Sequence, residues 1–150
     1  AGVLRGVPTW METTAKAVAV YDRPFWRDQG LSGAGHDVGC GGPLCAVWDS
    51  SDETTKPPTF ALAGFFGGPA DAAAQKRVVP QLEKLFGQEA GRPSRVECFD
   101  WGLAKPYTCV ASKGGGKAAV GDPALRVPYW DGRLVFAGTE TEPCHGHMEG

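Results

Sequence analysis

Apolar positions along this chain fall into short runs set apart by glycine, proline and acidic turns, which predicts several strands and little helix. Residues 15–21, rich in apolar and β-branched side chains, predict a sheet strand that Pro24 stops. Phe25, Trp26 and Arg27 then supply a large apolar anchor with a cation beside it, and residues 30–35 read as a loop. Residues 44–48 predict a second strand, closed by the solvated turn Asp49-Ser50-Ser51-Asp52. Residues 60–66, between Pro57-Pro58 and Gly67-Gly68-Pro69, predict a third, and residues 95–99, before Asp100 and Trp101, a fourth. The clearest helical period spans residues 71–86, where Ala74, Val78, Leu82, Leu85 and Phe86 share a face and Gln75, Lys76, Gln81, Glu83 and Lys84 lie on others. Asp71 is placed to cap its start and Gly87 its end, while Pro80 should kink the helix or divide it in two. Residues 102–120 carry no dependable period. Near the end, the turn Asp131-Gly132 leads into Leu134-Val135-Phe136-Ala137, which predicts a short buried strand. Gly138 to Thr141 make a polar turn after it, and residues 146–150 read as the opening of a helix.

Composition narrows what such a chain does. Its 150 residues are 42% hydrophobic, enough for one ordinary core, and no linker or internal repeat divides them. A formal charge of −2 leaves no basic excess for phosphate backbones, so a nucleic-acid partner is not expected. No apolar run approaches the ~20 residues of a membrane span and no signal pattern opens the chain, so the expectation is a soluble, cytoplasmic protein. Five cysteines, an odd number irregularly spaced, argue against a complete disulfide framework and fit a reducing compartment. Cys144 and His147, with His145 between them and Cys40 and Cys45 elsewhere, are donor types that suit zinc, but no second tight pair completes a site and no metal is assigned. Lys113-Gly114-Gly115-Gly116-Lys117-Ala118 has neither the spacing nor the Ser/Thr of a phosphate loop and reads as flexible chain.

A strand that ends in a Gly/Thr turn before a helix start is where α/β proteins receive anionic or carbonyl oxygens, although an ordinary connection has the same pattern. Here Ala137-Gly138-Thr139-Glu140-Thr141 followed by Gly146-His147-Met148-Glu149-Gly150 resembles the C-terminal signature of the flavin-containing amine oxidases. A second stretch of resemblance runs through Val7-Pro8-Thr9-Trp10-Met11, Lys16, Val20 to Arg27, and Gly30-Leu31-Ser32-Gly33, so the two bracket almost the whole chain in the family's order. The resemblance implies an α+β fold: a mixed or antiparallel sheet with one or two packing helices, residues 1–132 being substrate domain and residues 133–150 a returning strand and helix start of the FAD-binding domain. The strand followed by G-x-G-x-x-G that holds the flavin adenine dinucleotide pyrophosphate has no counterpart in the sequence, and the family continues past the position of Gly150. The expectation is therefore a piece of an enzyme, binding FAD only with the dinucleotide-binding part.

The resemblance also places residues. Lys16, which by itself is an ordinary surface lysine, matches the lysine that holds a water near flavin N5 and favours electron transfer to oxygen. Trp101 matches a tryptophan close to the flavin ring, where a core aromatic is the equal alternative. Gly138, Thr139 and Glu140 match residues lining the cofactor, and Met148 one whose backbone N–H reaches the flavin pyrimidine oxygens. His147 stands where many members have a Tyr that walls an aromatic cage, and a protonated imidazole would repel a cationic amine. Cys109 lies where some members attach flavin covalently, but Val110 follows it in place of an aromatic residue, and a buried inert thiol is the simpler reading. The implied reaction takes a small-molecule amine or amino acid to an imine, passes a hydride equivalent to the flavin, and reoxidises it with oxygen to give hydrogen peroxide. A diverged, non-catalytic interaction module is the alternative, and oligomeric state is not legible.

Overall fold

The structure is a computed structural model of the chain and describes residues 14–37, 41–103 and 121–142. Contacts divide the chain into two compact units, residues 13–100 and residues 1–12 with 101–150. The first is built on Ala15–Tyr21 (β1), Gly35–His36 (β2), Leu44–Asp49 (β3), Phe60–Phe66 (β4) and Arg95–Asp100 (β5). These form one five-stranded sheet in the order β2-β3-β4-β1-β5, and every neighbouring pair is antiparallel. The predicted strands at residues 15–21 and 60–66 have these bounds, and those at 44–48 and 95–99 each gain one residue, so the α+β expectation stands with its sheet wholly antiparallel.

Burial alternates strictly along β1: Ala15, Ala17, Ala19 and Tyr21 are buried, and Lys16, Val18 and Val20 point to the other face. Against the first face pack Phe25 and Trp26 of a single helical turn, Phe25–Asp28 (α1), and Val78, Leu82 and Phe86 of a longer helix, Val78–Phe86 (α3). The small alanines of β1 let these large side chains lie close to the strand. Tyr21, Phe25 and Trp26 meet edge to face with ring centroids 5.0–5.7 Å apart. The Tyr21 hydroxyl donates to the Ala90 carbonyl at 3.0 Å, and burial pushes its pKa above the ordinary value, so it remains a donor.

The helical period of residues 71–86 is divided as the proline requires. Ala72–Lys76 (α2) ends at Arg77, and α3 begins at Val78. Pro80 thereby falls in the first turn of α3, where its missing N–H costs no hydrogen bond. Asp71 caps α2 by accepting from the Ala74 N–H at 2.8 Å, and Gly87 follows α3 with φ +87°. Gln81 departs from its expected polar face and is buried. Its carboxamide accepts from the Leu44 N–H at 2.8 Å and donates to the Leu44 carbonyl and to Asp37, each at 2.7 Å. The side chain stands in for a strand partner at the start of β3, and Gly42 makes room for it, since a Cβ there would lie 2.2 Å from the Gln81 carboxamide carbon.

In the second unit the strand expected at residues 134–137 does not form. Leu134 makes one isolated bridge with Tyr129, Val135 is 65% exposed, and residues 135–137 have no regular structure. An apolar run becomes a strand only beside a partner, and among the described residues Tyr129 alone pairs with it. The helix start expected at residues 146–150 lies outside the described residues.

Two outcomes follow for stability. Replacing Gln81 with Leu should keep the volume but strand the Leu44 N–H and carbonyl, costing about 2–3 kcal/mol in urea unfolding, with the loss absent if water replaces the amide. Asp49 joins α1 to β3, accepting from Trp26 Nε1 and Arg27 Nε at 2.8 Å each and from the Ser51 N–H at 2.9 Å. Burial pushes its carboxyl pKa up, but these hydrogen bonds outweigh burial and hold it well below the usual carboxylate range. A depressed folded pKa means that this contribution is complete above the unfolded pKa of ~3.9 and is lost as pH falls toward the folded value. Asp49→Asn should therefore flatten the acid limb of a stability–pH curve, and an unchanged limb would remove Asp49 as its source.

Candidate functional site

Because the odd-numbered residues of β1 occupy the core, Lys16 must point away from it. Register then decides its neighbours. Lys16 lies opposite Phe65 of β4 on one side and Phe99 of β5 on the other, and directly opposed residues share a face. One strand further, Trp48 of β3 packs against Phe65 at a tilt of 53°, with ring centroids 4.8 Å apart. The Lys16 ammonium reaches across to this pair, 5.2 Å from the Trp48 ring centroid, within range of a cation–π interaction. The result is one cation fixed on an aromatic row of Trp48, Phe65 and Phe99, on the face turned away from α1 and α3. Phe99 is 50% exposed.

Trp48 and Phe65 were not singled out from the sequence as site residues, and for Trp48 a bulge explains why. Between Leu44 and Ala46 the β3–β4 register shifts, so Leu44 pairs with Phe66 and Ala46 with Phe65. The extra residue, Cys45, reverses the alternation, with Leu44 and Val47 both in the core and Trp48 on the Lys16 face. Strict period-two counting would put Leu44 and Trp48 on the same side.

In the second unit, Trp101 opens a short 3-10 turn, Trp101–Leu103, and is 44% exposed. Gly138, Thr139 and Glu140 are brought together in one compact turn. Gly138 has φ +137° and ψ +168°, a conformation that is essentially glycine's alone, and Thr139–Thr141 continue as a 3-10 turn. The Thr141 N–H and hydroxyl both donate to the Gly138 carbonyl, at 2.9 and 3.0 Å, and the Gly121 N–H donates to the Glu140 carbonyl at 2.8 Å. The expected polar turn is therefore present, with a backbone reason for its glycine. His147 and Met148 lie outside the described residues, as do Cys109, Cys144, His145 and Cys40. Among the described residues no three His, Cys, Asp or Glu side chains are grouped to hold a metal, and no helix is long and apolar enough to cross a membrane.

The larger unit is thus an antiparallel sheet packed on one face by helices, with a lysine over aromatic rings on the other. The profile of the family described as "Flavin containing amine oxidoreductase" matches residues 4–150, and the chain belongs to that family. It is 35% identical to an L-amino acid dehydrogenase from Synechocystis sp. over 147 residues, 89% of this chain and 29% of that protein. Among solved structures it resembles cyclohexylamine oxidase from Brevibacterium oxydans, at 29% identity and TM-score 0.61 over 86% of this chain and 30% of the oxidase. A triple mutant of putrescine oxidase matches 92% of this chain and 32% of its own length, at 25% identity and TM-score 0.64. The chain thus spans about 30% of the length of these relatives.

If Trp48 holds the Lys16 ammonium, a double-mutant cycle of Lys16→Met and Trp48→Leu should show a coupling of about 0.5–1 kcal/mol in chemical denaturation. Strictly additive losses would mean that the two side chains are neighbours without interaction.

Proposed function

We propose that this chain supplies the substrate-facing part of an FAD-dependent oxidase that converts a C–N bond of a small amine or amino acid to an imine. The observation that carries the reading is Lys16, a single ammonium steadied by Trp48 on the aromatic face of the sheet, in a member of a flavin-containing family. Residues 1–132 belong to the substrate domain on this reading, and residues 133–150 to the cofactor domain. The names of the relatives, a dehydrogenase of L-amino acids and oxidases of cyclohexylamine and putrescine, support an amine or amino acid as substrate.

The residues present fit one end of the cofactor and not the other. A sheet face of Trp48, Phe65 and Phe99 suits the flank of a planar ring, and Lys16 supplies the positive charge. For the pyrophosphate the sequence offers no glycine-rich strand–loop–helix. Bound FAD would supply the redox chemistry, taking up a hydride equivalent from the carbon that bears nitrogen and passing electrons to oxygen, with hydrogen peroxide as product.

This chain's own share is positioning and electrostatics. Lys16 would hold a water and a fixed positive charge, which would stabilise negative charge developing beside it. The aromatic row would border the substrate side and orient the apolar part of an amine. Gly138, Thr139 and Glu140 would line the cofactor, Trp101 and the Met148 N–H would border its ring, and His147 would form one wall of the substrate site in its neutral form, admitting a cationic amine more readily above its pKa than below it. Alone, the chain should be inactive.

The experiment is colour. Incubated with FAD and desalted, the isolated chain should be colourless, and co-expressed with the dinucleotide-binding portion of the cyclohexylamine oxidase it should retain a flavin spectrum. Lys16→Met in that assembly should keep the colour but slow reoxidation by oxygen by about a hundredfold. Failure to retain flavin in the co-expressed assembly would favour an interaction module without cofactor.

A further inference from the structure

A concavity lies at the other end of β1, on the opposite face of the strand from Lys16 and five residues along it, roughly 17 Å at ~3.4 Å per residue. Its volume is about 270 Å³, and it is lined by Tyr21, Asp22, Arg23, Phe25, Glu89 and Arg92. All six belong to the unit of residues 13–100.

The polar groups here are of two kinds. Some are already committed: the Tyr21 hydroxyl to the Ala90 carbonyl, and Arg23 to both Asp28 and Glu89. Asp22 and Arg92 remain. Neither side chain makes an ion pair or hydrogen bond among the described residues, and they are not bridged to each other although they line the same hollow. Two opposite charges that line one hollow without bridging each other are both satisfied by a ligand that carries both.

We propose that this pocket binds a small free amino acid as its zwitterion, with the carboxylate on the Arg92 guanidinium and the ammonium on Asp22. The planar fork of an arginine matches a carboxylate in a way a lysine would not. A plain anion would meet Arg92 but also Asp22, and a plain amine the reverse, so each loses at one end what it gains at the other. The volume falls just below the ~300–1,000 Å³ of sites for drug-sized ligands, which limits the side chain to a few carbons against the edge of Phe25. The site is separate from the proposed flavin face and does not depend on that reading.

The test is a set of NMR titrations of the chain with L-alanine, propionate and ethylamine, which share a small skeleton and differ in charge. Alanine should shift the resonances of Asp22, Arg23 and Arg92 saturably, with propionate and ethylamine at least about tenfold weaker. Arg92→Gln and Asp22→Asn, both at exposed positions, should each erase the preference for the zwitterion while leaving the β3 and β4 resonances in place, and Lys16→Met should leave alanine binding unchanged. Propionate equal to alanine, no shift at Arg92 up to roughly 100 mM alanine, or full binding by Arg92→Gln would each overturn the proposal.

Discussion

Everything in the larger unit depends on the register of β1. Its side chains alternate between a face sealed by helices and a face bearing the one lysine of the strand, and a slip of one residue would exchange the two sets. Lys16 would then stand among Trp26, Leu82 and Phe86, where an ammonium without a partner costs several kcal/mol, and Val18 and Val20 would crowd the space that the small alanines leave for those side chains. The small residues in the core and the long cation outside it are therefore one constraint seen from two sides. Tyr21 closes the strand with the same logic, since its ring needs the pocket made by Phe25 and Trp26 while its hydroxyl needs the Ala90 carbonyl.

Polar side chains hold the remaining elements to this strand. Asp49 gathers Trp26, Arg27 and the Ser51 N–H, tying α1 to the end of β3, and Gln81 ties α3 to its beginning. Both replace backbone pairing where the sheet runs out. At such positions a hydrophobic isostere would fill the space but leave buried donors and acceptors unmatched, the costlier error in a low-dielectric interior. Fixing both ends of β3 also fixes Trp48, and through it the place of the Lys16 ammonium.

In the larger unit, strands were legible where apolar runs had clear stops: Pro24 after β1, the prolines and glycines around β4, and the acidic turn after β3. The division of the helical region was also legible from Pro80, because the ring excludes a carbonyl one turn earlier. Two features were not. The bulge at Cys45 leaves no compositional trace, and it alone decides that Trp48 joins Lys16. Gln81 looked like a surface residue because its type is common there, and only the unpaired start of β3 gives it a reason to be buried. The apolar run at residues 134–137 failed in the opposite direction, since local composition cannot say whether a partner strand exists. For the site, the Gly138–Glu140 turn was readable because φ +137° demands glycine, whereas the neighbours of Lys16 came only from tertiary pairing.

The two ends of β1 carry different chemistry, and the fold argues that they act independently. Coupling between sites needs an element with two arrangements that both ligands bias. β1 is hydrogen-bonded on both edges, to β4 and to β5, and its core face is filled by Trp26, Leu82 and Phe86. Such a strand has no second register within a few kcal/mol, because any shift drives Lys16 inward. A ligand held by Asp22 and Arg92 would bind side chains just beyond the last pair of that ladder, where it could reorient a loop but not the strand. Rigidity that keeps the Lys16 ammonium in place over Trp48 is thus the same property that insulates it from the far end of the sheet.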